Sequence, residues 1–425
     1  MIQIPRGTQD ILPKDTYKWQ FIEARLHQIA QDYNYSEIRT PVFESTELFV
    51  RGVGGSTDIV NKEMYTFQDK GDRSMTLKPE GTAPVVRSYI ENKMQHDVNQ
   101  PVKVYYLAPM FRYERKQKGR YRQFVQFGIE AIGVEDPLID VEVISMLMQI
   151  YKSFGLSNLK LYINSIGDQD SRSAYNEALV AHFKPSIGEF CSDCQSRIDT
   201  NPMRILDCKK DRDHPLVKQA PRIYDYLNEE SKEYFEQVKR NLDALGIGYE
   251  IDYNLVRGLD YYTHTAFELM SDAEGFGAIT TLCGGGRYNG LLELLDGPTE
   301  TGIGFALSIE RLIMALEAEG IEIPKPQGID LYICTLDGAS RTAASRLIHQ
   351  LRAEGISSDM DYKNRKLKAQ MKDADRKGAK HTIVIGEEER ETNVAELKNM
   401  ADGSTKQVKL DDIKALAELI EEVES

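Results

Sequence analysis

The chain has 425 residues, of which 41% are hydrophobic and 28% charged, and its formal net charge is −14. This length exceeds the roughly 250–300 residues at which one hydrophobic core stops growing, so more than one domain is expected, and the composition excludes wholesale disorder. The longest apolar runs are too short for a membrane span, the N-terminus lacks a signal-peptide core, and the five unevenly spaced cysteines do not suit a disulfide framework, so we expect a cytoplasmic protein.

The first third of the chain alternates helical and extended patterns. Residues 15–33 predict an amphipathic helix, and the next segment, YSEIRTPVFE, contains Pro41, which keeps it out of the interior of a sheet. Two β-rich runs within residues 102–133 flank a polar loop and predict a long antiparallel hairpin. A helix and then a strand are predicted between residues 137 and 167.

The character of the sequence changes after the first third. Residues 168–240 carry short helical patterns, many charges and a cysteine cluster, which predicts an inserted helical module. The β-rich runs that follow rejoin the first core, and residues 321–328, with two prolines and a glycine, predict a linker. We therefore expect a first domain at residues 1–325 and a second, α/β domain at residues 326–425, where a β-α-β-α-β-α pattern ends in a closing helix.

The predicted hairpin carries polar side chains where a core would be apolar. Arg112 and Glu114 lie two apart on one predicted strand, and Gln126 and Glu130 lie four apart on the other, so each pair shares a face. Such a face is too polar for a core unless it lines a ligand pocket, because buried charges need partners. An exposed sheet face is the alternative.

Three further stretches stand out for their residue types. Glu80 and Thr82 precede a predicted helix, where Thr82 is also well suited to be an N-cap. The stretch CGGGRYNG lacks the spacing of known phosphate-binding loops but marks a close approach of a ligand or of backbone. The stretch RGLDYY puts Arg257 beside Tyr261 and Tyr262 at the start of a strand. Taken alone, these three residues are more simply a surface cation and two packing phenols.

The predicted insertion contains a pattern that resembles zinc sites. Cys191 and Cys194 are separated by two residues, and Cys208 and His214 follow downstream. Cysteine and histidine at such spacing are common zinc ligands. Cysteines that bind no metal are the alternative.

At these residues the sequence resembles the class II aminoacyl-tRNA synthetases. MFRYE with its basic loop is similar to their motif 2, GIGFALSIERL to motif 3, and the first helix with YSEIRTPVFE to motif 1. RGLDYY and GGGRY resemble the two signature segments of the histidyl-tRNA synthetase family. The resemblance covers essentially the whole chain. It implies an α+β catalytic core, built on an antiparallel sheet flanked by helices and interrupted by the helical insertion, and a C-terminal α/β anticodon-binding domain.

The resemblance implies a nucleotide site. In the family pattern, Arg112 holds the α-phosphate of ATP, Glu114 reads the adenine amino group and Phe124 stacks on the adenine. Arg120 and Arg311 hold the distal phosphates. Forked guanidinium groups suit phosphate oxygens, so the residue types agree with these roles.

The resemblance also implies a histidine site. The residues expected to bind histidine are Glu80, Thr82, Gln126, Glu130, Arg257, Tyr261 and Tyr262. The first three hold the α-amino group, whereas the second glutamate and the two tyrosines surround the imidazole. Arg257 lies between the substrate carboxylate and the α-phosphate, and together with Arg112 it is expected to be catalytic.

The implied reaction has two steps. L-histidine and ATP form histidyl-adenylate and pyrophosphate, and the histidyl group then passes to the 3′ end of tRNA(His) with release of AMP. Mg²⁺ is expected with ATP and pyrophosphate, and a homodimer is expected through motif 1. The family does not require zinc, so we expect no metal at the cysteine cluster and assign the insertion to tRNA binding or packing. A regulatory subunit that binds histidine without charging tRNA is the alternative, but such a chain would lack the C-terminal domain.

Two basic clusters stand out against the negative net charge. One lies in the motif 2 loop at residues 112–122, where Lys116 replaces the proline of the family pattern, and the other lies at residues 363–380. Either cluster alone is also consistent with a solvated face. The resemblance assigns the first cluster to the tRNA acceptor stem and the second to the anticodon stem and loop. Binding of tRNA is then expected to weaken steeply with salt.

Overall fold

The structure, a computed structural model, describes residues 2–55, 57–114, 119–208, 210–256, 258–274 and 280–421. The chain divides into two units, Met1–Pro324 and Lys325–Ser425. None of the described helices has the length and apolar character that crossing a bilayer requires.

The first unit is built from short and long strands with helices between them. Its strands are β1 (Ser36–Glu37), β2 (Phe43–Ser45), β3 (Tyr65–Gln68), β4 (Ser74–Leu77), β5 (Val102–Phe111), β6 (Gln123–Ile132), β7 (Leu159–Ser165), β8 (Glu250–Ile251), β9 (Thr263–Ser271), β10 (Thr281–Arg287) and β11 (Gly302–Ser308). Its helices are α1 (Thr16–Asp32), α2 (Thr46–Val53), α3 (Thr82–Glu91), α4 (Pro137–Ser153), α5 (Gln169–Phe183), α6 (Ser192–Thr200), α7 (Pro215–Lys218), α8 (Glu229–Ala244), α9 (Leu291–Leu294) and α10 (Ile309–Ala318).

An eight-stranded sheet forms the centre of the first unit, in the order β1-β5-β6-β11-β10-β9-β7-β8. Its six inner strands pair antiparallel, whereas β1 and β8 join the two edges in parallel. Strands β5 and β6 form the predicted long hairpin, with Val102 opposite Ile132 and Phe111 opposite Gln123. Strands β2, β4 and β3 make a separate three-stranded sheet.

The two faces of the central strands have different roles. On one face, Phe127 and Ile129 of β6 and Phe305 of β11 pack in a hydrophobic core with side chains of α1, α4, α8 and α10. Successive side chains of a strand point to opposite faces. Gln126 and Glu130 therefore face the other side, where the sheet is not covered by this core.

The predicted insertion lies between β7 and β8 and is helical. Tyr175, Leu179 and Phe183 line the buried side of α5 and share a hydrophobic cluster with apolar residues of α6 and of the segments that follow it. The last helix of the insertion, α8, packs Phe235 and Val238 into the first core. The predicted antiparallel sheet, flanking helices and helical insertion are therefore confirmed.

The second unit contains more strands than the sequence pattern predicted. Its strands are β12 (Leu331–Thr335), β13 (Ser358–Met360), β14 (His381–Ile385), β15 (Val394–Asn399) and β16 (Thr405–Lys409), and its helices are α11 (Gly338–Ala353), α12 (Leu367–Arg376), α13 (Glu387–Thr392) and α14 (Ile413–Glu421). The sheet order is β13-β12-β14-β15-β16, with the last two strands antiparallel. The predicted alternation of three strands and two helices and the closing helix are confirmed, and α13, β15 and β16 are additional elements that the pattern did not predict. Along β15, the buried residues Ala395 and Leu397 alternate with the exposed residues Glu396 and Lys398, which is the two-residue period of a strand.

Candidate active site

Two cavities open on the uncovered face of the sheet. The smaller has a volume of about 120 Å³ and the larger about 520 Å³. They share a wall formed by Arg112, Gln126, Gly284 and Ala306. Two ligands placed in them would therefore meet beside Arg112.

The structure brings the residues expected to bind histidine around the smaller cavity. The lining includes Glu80, Thr82, Gln126, Glu130, Tyr261 and Tyr262. Arg257 lies outside the described residues. Its neighbours Val256 and Gly258 line the larger cavity.

Glu130 lines the smaller cavity and is buried. Thr82 Oγ1 donates a 2.7 Å hydrogen bond to Glu130 Oε1, and the Tyr288 hydroxyl donates one of 2.7 Å to Oε2. Burial raises the pKa of Glu130 to about 8; these two hydrogen bonds act in the opposite direction, and the nearby Glu80 raises the pKa further. With a pKa of about 8, the carboxyl group of substrate-free Glu130 is mostly protonated at neutral pH.

Glu80 holds the start of α3. Its two carboxylate oxygens accept hydrogen bonds from the backbone N–H groups of Thr82 and Ala83, at 2.7 and 2.9 Å. Burial raises the pKa of Glu80, and these N–H groups partly oppose the rise. The alternative that Thr82 is itself the N-cap is wrong, because α3 begins at Thr82 and the threonine hydroxyl is bonded to Glu130.

Glycines make room for the large side chains of the smaller cavity. A Cβ atom on Gly304 would overlap Glu130 Oε2, and one on Gly128 would overlap the ring of Tyr106. Gly304 is the register partner of Glu130, so the glutamate side chain crosses directly over the neighbouring strand. The glycine-rich strand β10 contributes Gly284 to the same lining.

The larger cavity collects the residues expected to bind ATP. It is lined by Arg112, Glu114, Arg120, Phe124 and Arg311. The Arg112 guanidinium lies 5.5 Å from the centre of the Phe124 ring, and its Nε donates a 2.7 Å hydrogen bond to the carbonyl oxygen of Pro79. These contacts fix the arginine at the wall between the two cavities.

Arg112 and Glu114 are not on the strand that the alternation pattern predicted. β5 ends at Phe111, and both residues lie in the loop that follows. Their shared cavity therefore results from the course of the loop and not from strand alternation. Arg120, from the far side of the same loop, forms a 2.9 Å ion pair with Glu114.

Two arginines share the far end of the larger cavity. Burial, and then the nearby Arg120, lower the pKa of Arg311. The Arg311 guanidinium also donates a hydrogen bond to the carbonyl oxygen of Thr281. The carboxylate of Glu268 lines the cavity too and accepts a hydrogen bond from the Thr281 hydroxyl. Neighbouring cations together with the carboxylates of Glu114 and Glu268 suit a polyanion that carries a divalent metal.

Sequence reasoning missed three contributors to these cavities. Tyr288 belongs to the GGGRY stretch but was not singled out, and Tyr106 was visible only as part of an aromatic strand. The insertion contributes Leu206, Asp207 and Arg212 to the larger cavity. No pattern in the sequence indicates that this part of the insertion reaches the site.

The structure changes the membership of the cysteine cluster. The ligand atoms of Cys191, Cys194, Cys208 and Asp211 all lie within 4.8 Å of one another. His214, the fourth residue of the predicted pattern, instead accepts a hydrogen bond from the backbone of α7 and packs its ring 4.3 Å from that of Phe190. The predicted histidine is therefore replaced by an aspartate.

Comparison with known proteins covers both units. A family model described as histidyl-tRNA synthetase matches residues 7–312, and one described as anticodon binding domain matches residues 330–420. A histidine–tRNA ligase of Staphylococcus aureus (strain JH9) is 67% identical over 412 residues, which make up 97% of this chain and 98% of the relative.

Solved structures show the same similarity. The apo histidyl-tRNA synthetase of S. aureus matches with a TM-score of 0.85 and 60% identity over 100% of both chains. A Bacillus halodurans C protein, described as an ATP phosphoribosyltransferase regulatory subunit/histidyl-tRNA synthetase, matches with a TM-score of 0.65 and 20% identity over 91% of this chain and 98% of its own. At that identity the second match shows the fold alone.

Proposed function

The chain belongs to the histidyl-tRNA synthetase family, and from that premise we propose how its two cavities divide the substrates. The enzyme ligates histidine to tRNA at the expense of ATP, through histidyl-adenylate. We assign histidine to the smaller cavity and ATP to the larger one. The shared wall at Arg112 then becomes the place where the substrate carboxylate meets the α-phosphate.

The smaller cavity recognises the imidazole ring. In its deprotonated form Glu130, held by Thr82 and Tyr288, offers an acceptor to one ring N–H of the substrate. A site that hydrogen-bonds its substrate rejects analogues without the donor by roughly 10⁴–10⁵, because its buried polar groups are then left unpaired. Such discrimination makes a separate hydrolytic editing site unnecessary.

We assign the α-amino group to the part of the smaller cavity that adjoins Glu130, since Thr82 borders both. Glu80, Thr82 and Gln126 line this region, and Gln126 also reaches the shared wall. A buried carboxylate beside amide and hydroxyl oxygens suits an ammonium group, which has three donors and no acceptor. Both ends of the amino acid are then fixed, and its carboxylate points towards the larger cavity.

Adenylate formation is a matter of position and charge. A carboxylate oxygen of histidine attacks the α-phosphorus, the bond from that phosphorus to the bridging oxygen breaks, and pyrophosphate leaves. The nucleophile is already an anion, so no general base is needed for this step. Arg112 neutralises charge at the α-phosphate, and we assign Arg257 the same task from the carboxylate side on the family resemblance.

The leaving pyrophosphate lies between Arg120 and Arg311. In the structure Arg120 pairs with Glu114, so it must exchange this partner for a phosphate oxygen when ATP binds. We assign Mg²⁺ to Glu268, which lines the cavity close to Arg311, because this ion usually binds one or two carboxylates together with substrate phosphates. The metal would screen the charge that builds up on pyrophosphate.

The second substrate is tRNA. We propose that the motif 2 loop contacts the acceptor stem and that the second unit binds the anticodon stem and loop. Arg115, Lys116 and Lys118 of the loop lie outside the described residues. We also propose that the enzyme acts as a homodimer in the cytoplasm, where tRNA is charged for translation. Sedimentation at assay concentration tests the dimer, and an active monomer would refute it.

The observation that carries the proposed division is the wall shared by the two cavities. Exchange of labelled pyrophosphate into ATP, measured with each of the twenty amino acids, tests it. We expect exchange with histidine and none above background with the others. Histidine methylated at either ring nitrogen serves as a matched pair, because each analogue keeps the size of the ring and loses one N–H position. Equal exchange with both analogues would contradict recognition by Glu130, and a chain that only bound histidine would exchange nothing.

A further inference from the structure

Three sulfur atoms and one carboxylate oxygen converge inside the helical insertion. The ligand atoms of Cys191, Cys194, Cys208 and Asp211 lie within 4.8 Å of one another. Cys194 and Cys208 are buried, and the other two residues are half-buried. The four positions come from two different segments, one at the start of α6 and one after its end. Side chains from separate segments thus meet at one point.

The distances fit a tetrahedral zinc site. Cys191 Sγ and Cys208 Sγ are 3.7 Å apart, and Cys208 Sγ and Asp211 Oδ2 are 3.6 Å apart. Around a tetrahedral zinc ion, two sulfurs are expected about 3.8 Å apart, and a sulfur and a carboxylate oxygen about 3.5 Å. The distance between the two sulfur atoms is far too long for a disulfide bond, and none of the five cysteines forms one.

The spacing along the chain is symmetric about this point. Cys191 and Cys194 are separated by two residues, and so are Cys208 and Asp211. Pairs of ligands separated by two residues, with a longer connection between the pairs, are the common arrangement of structural zinc sites. Replacing one cysteine by aspartate keeps the charge and the ligand count.

We propose that Cys191, Cys194, Cys208 and Asp211 bind one structural Zn²⁺ ion. The sequence favoured no metal at this cluster, and the arrangement of the four side chains is the reason to reverse that expectation. His214 is not a ligand, because its ring is held against Phe190 and the start of α7. All four positions of the ion are filled by protein atoms, so the site has no open position for catalysis.

The ion would stabilise the part of the insertion that reaches the larger cavity. Leu206, Asp207 and Arg212, which line that cavity, surround Cys208 and Asp211 in the chain. Just before them, Arg204 Nη1 donates a 3.2 Å hydrogen bond to the carbonyl oxygen of Gly258. Zinc therefore fixes a wall of the cavity.

The same segment holds the loop that carries RGLDYY. Asn201 Nδ2 donates a 2.7 Å hydrogen bond to Asp260 Oδ1. Arg197, in α6, donates to the carbonyl oxygen of Arg204, at 3.3 Å. Loss of the ion is expected to loosen the Asn201–Asp260 and Arg204–Gly258 hydrogen bonds and to raise the KM for both ATP and histidine.

The direct test is the metal content of the untagged full-length protein, purified without added zinc and without chelators. Elemental analysis is expected to find about one zinc ion per chain. If less is found, the reduced protein is incubated with equimolar Zn²⁺ and the excess is removed by gel filtration. A content that stays below roughly half an ion per chain after this step overturns the proposal.

Variants identify the ligands by a readout that does not depend on activity. Co²⁺ bound by three thiolates gives intense absorption in the near ultraviolet and visible bands of tetrahedral cobalt. Cys208→Ala is expected to lose most of this absorption, whereas Asp211→Ala, which keeps the three thiolates, is expected to bind Co²⁺ at least roughly tenfold more weakly. The matched controls are His214→Ala and Cys334→Ala, and both should keep the full signal. Cys334 is a buried cysteine of the second unit.

The controls also keep the outcome clear if a ligand variant fails to fold. Wild-type zinc content decides the existence of the site without any substitution. Loss of metal in His214→Ala but not in Asp211→Ala would overturn the ligand set. If the wild type binds one zinc ion per chain and Cys208→Ala binds as much, the ion lies elsewhere and the proposal is overturned as well.

Discussion

The Tyr288 hydroxyl donates a 2.7 Å hydrogen bond to Glu130 Oε2, although the two residues are 158 positions apart in the chain. The other carboxylate oxygen is bonded to Thr82 at the same distance. Thr82 begins α3, Glu130 lies in β6, and Tyr288 directly follows β10. Because three separate segments hold Glu130, its position is set before a substrate binds.

Tyr288→Phe removes one of these hydrogen bonds without changing the shape of the cavity. A hydrogen bond to a charged group contributes about 1.5–3 kcal/mol, so the KM for histidine in pyrophosphate exchange should rise by about 10- to 100-fold. The KM for ATP should change little. Tyr175→Phe is the control, since its hydroxyl bonds the carbonyl oxygen of Pro221 within the insertion, at 2.9 Å. An unchanged KM for histidine in Tyr288→Phe would contradict the assigned role of Glu130.

Gly304→Ala should damage the same site through the backbone of the neighbouring strand. The added Cβ would overlap Glu130 Oε2 and the carbonyl oxygen of Ile129, so the carboxylate must move away from Thr82 and Tyr288. We expect histidine-dependent exchange to fall by roughly 100-fold or more, because small displacements of positioning groups have effects of this size. Gly248→Ala, where no atom lies within 4 Å of the added Cβ, is the control and should exchange normally. Normal exchange by Gly304→Ala would show that Glu130 is not needed in this position.

The sequence predicted most of the first unit because its signals are local. The apolar face of α1 and the two runs of the β5–β6 hairpin depend on neighbouring residues alone, and both were confirmed. Strands β15 and β16 were missed because they are short and mostly polar, with exposed positions such as Glu396 between the buried ones. In the edge strand β16 only Val408 is buried, so no apolar alternation marks it in the sequence.

The candidate site could be predicted only as far as the motifs reach. Alternation placed Gln126 and Glu130 on one face of β6, and both line the smaller cavity. The partner of Glu130 depends on sheet register across β6, β11 and β10, and neither register nor the position of Tyr288 is encoded in a short pattern. The same limit applies to the cysteine cluster, where chain spacing favoured His214 but the folded insertion brings Asp211 to the sulfurs.

The raised pKa of Glu130 predicts how the stability of the substrate-free enzyme depends on pH. The unfolded chain loses this proton near pH 4.5, whereas the folded protein keeps it to about pH 8. The folded state therefore binds one more proton between these values, so the free energy of unfolding falls as the pH rises from 4.5 to 8. Glutamine does not titrate, so Glu130→Gln does not lose stability in this way. Its melting temperature minus that of the wild type should increase between pH 5 and 8 and then level off.

The unfolding transition of the first unit must be identified for this measurement, since the chain has two units. Histidine shifts the transition of the unit that binds it, so the transition that moves with added histidine in the wild type is the one to follow. Glu268→Gln is a useful control, because it changes a glutamate of the larger cavity and leaves Glu130 intact. A melting difference that is constant across this pH range would contradict a proton on Glu130.

Arg311→Ala should affect ATP and leave histidine binding intact. The arginine lines the larger cavity and is absent from the lining of the smaller one. Loss of a charged phosphate contact is expected to raise the KM for ATP and to lower kcat, with a combined loss of roughly 100-fold or more in kcat/KM. The shift in melting temperature caused by histidine alone should match that of the wild type. An equal loss of affinity for ATP and for histidine would point instead to damage of the fold.

Four exposed lysines of the second unit are expected to carry much of its contact with tRNA. In the segment 363–380, several cations are already paired: Arg365 with Asp361 and Asp373, and Lys377 with Asp359. The exposed lysines for which the described residues show no ion pair are Lys363, Lys366, Lys368 and Lys372. They are therefore the cations available to phosphates.

Replacing Lys366 and Lys368 by alanine should weaken tRNA binding and reduce its dependence on salt. Each phosphate contact contributes about one to the slope of log K against log salt, so the slope should fall by up to about two. Pyrophosphate exchange, which needs no tRNA, should be unchanged in the variant and should respond little to salt. The double variant Lys406→Ala, Lys409→Ala is the matched control. It removes the same amount of charge from exposed positions of β16, in the same unit. An equal loss of slope in both double variants would show that net charge, and not the surface formed by residues 363–380, governs the encounter with tRNA.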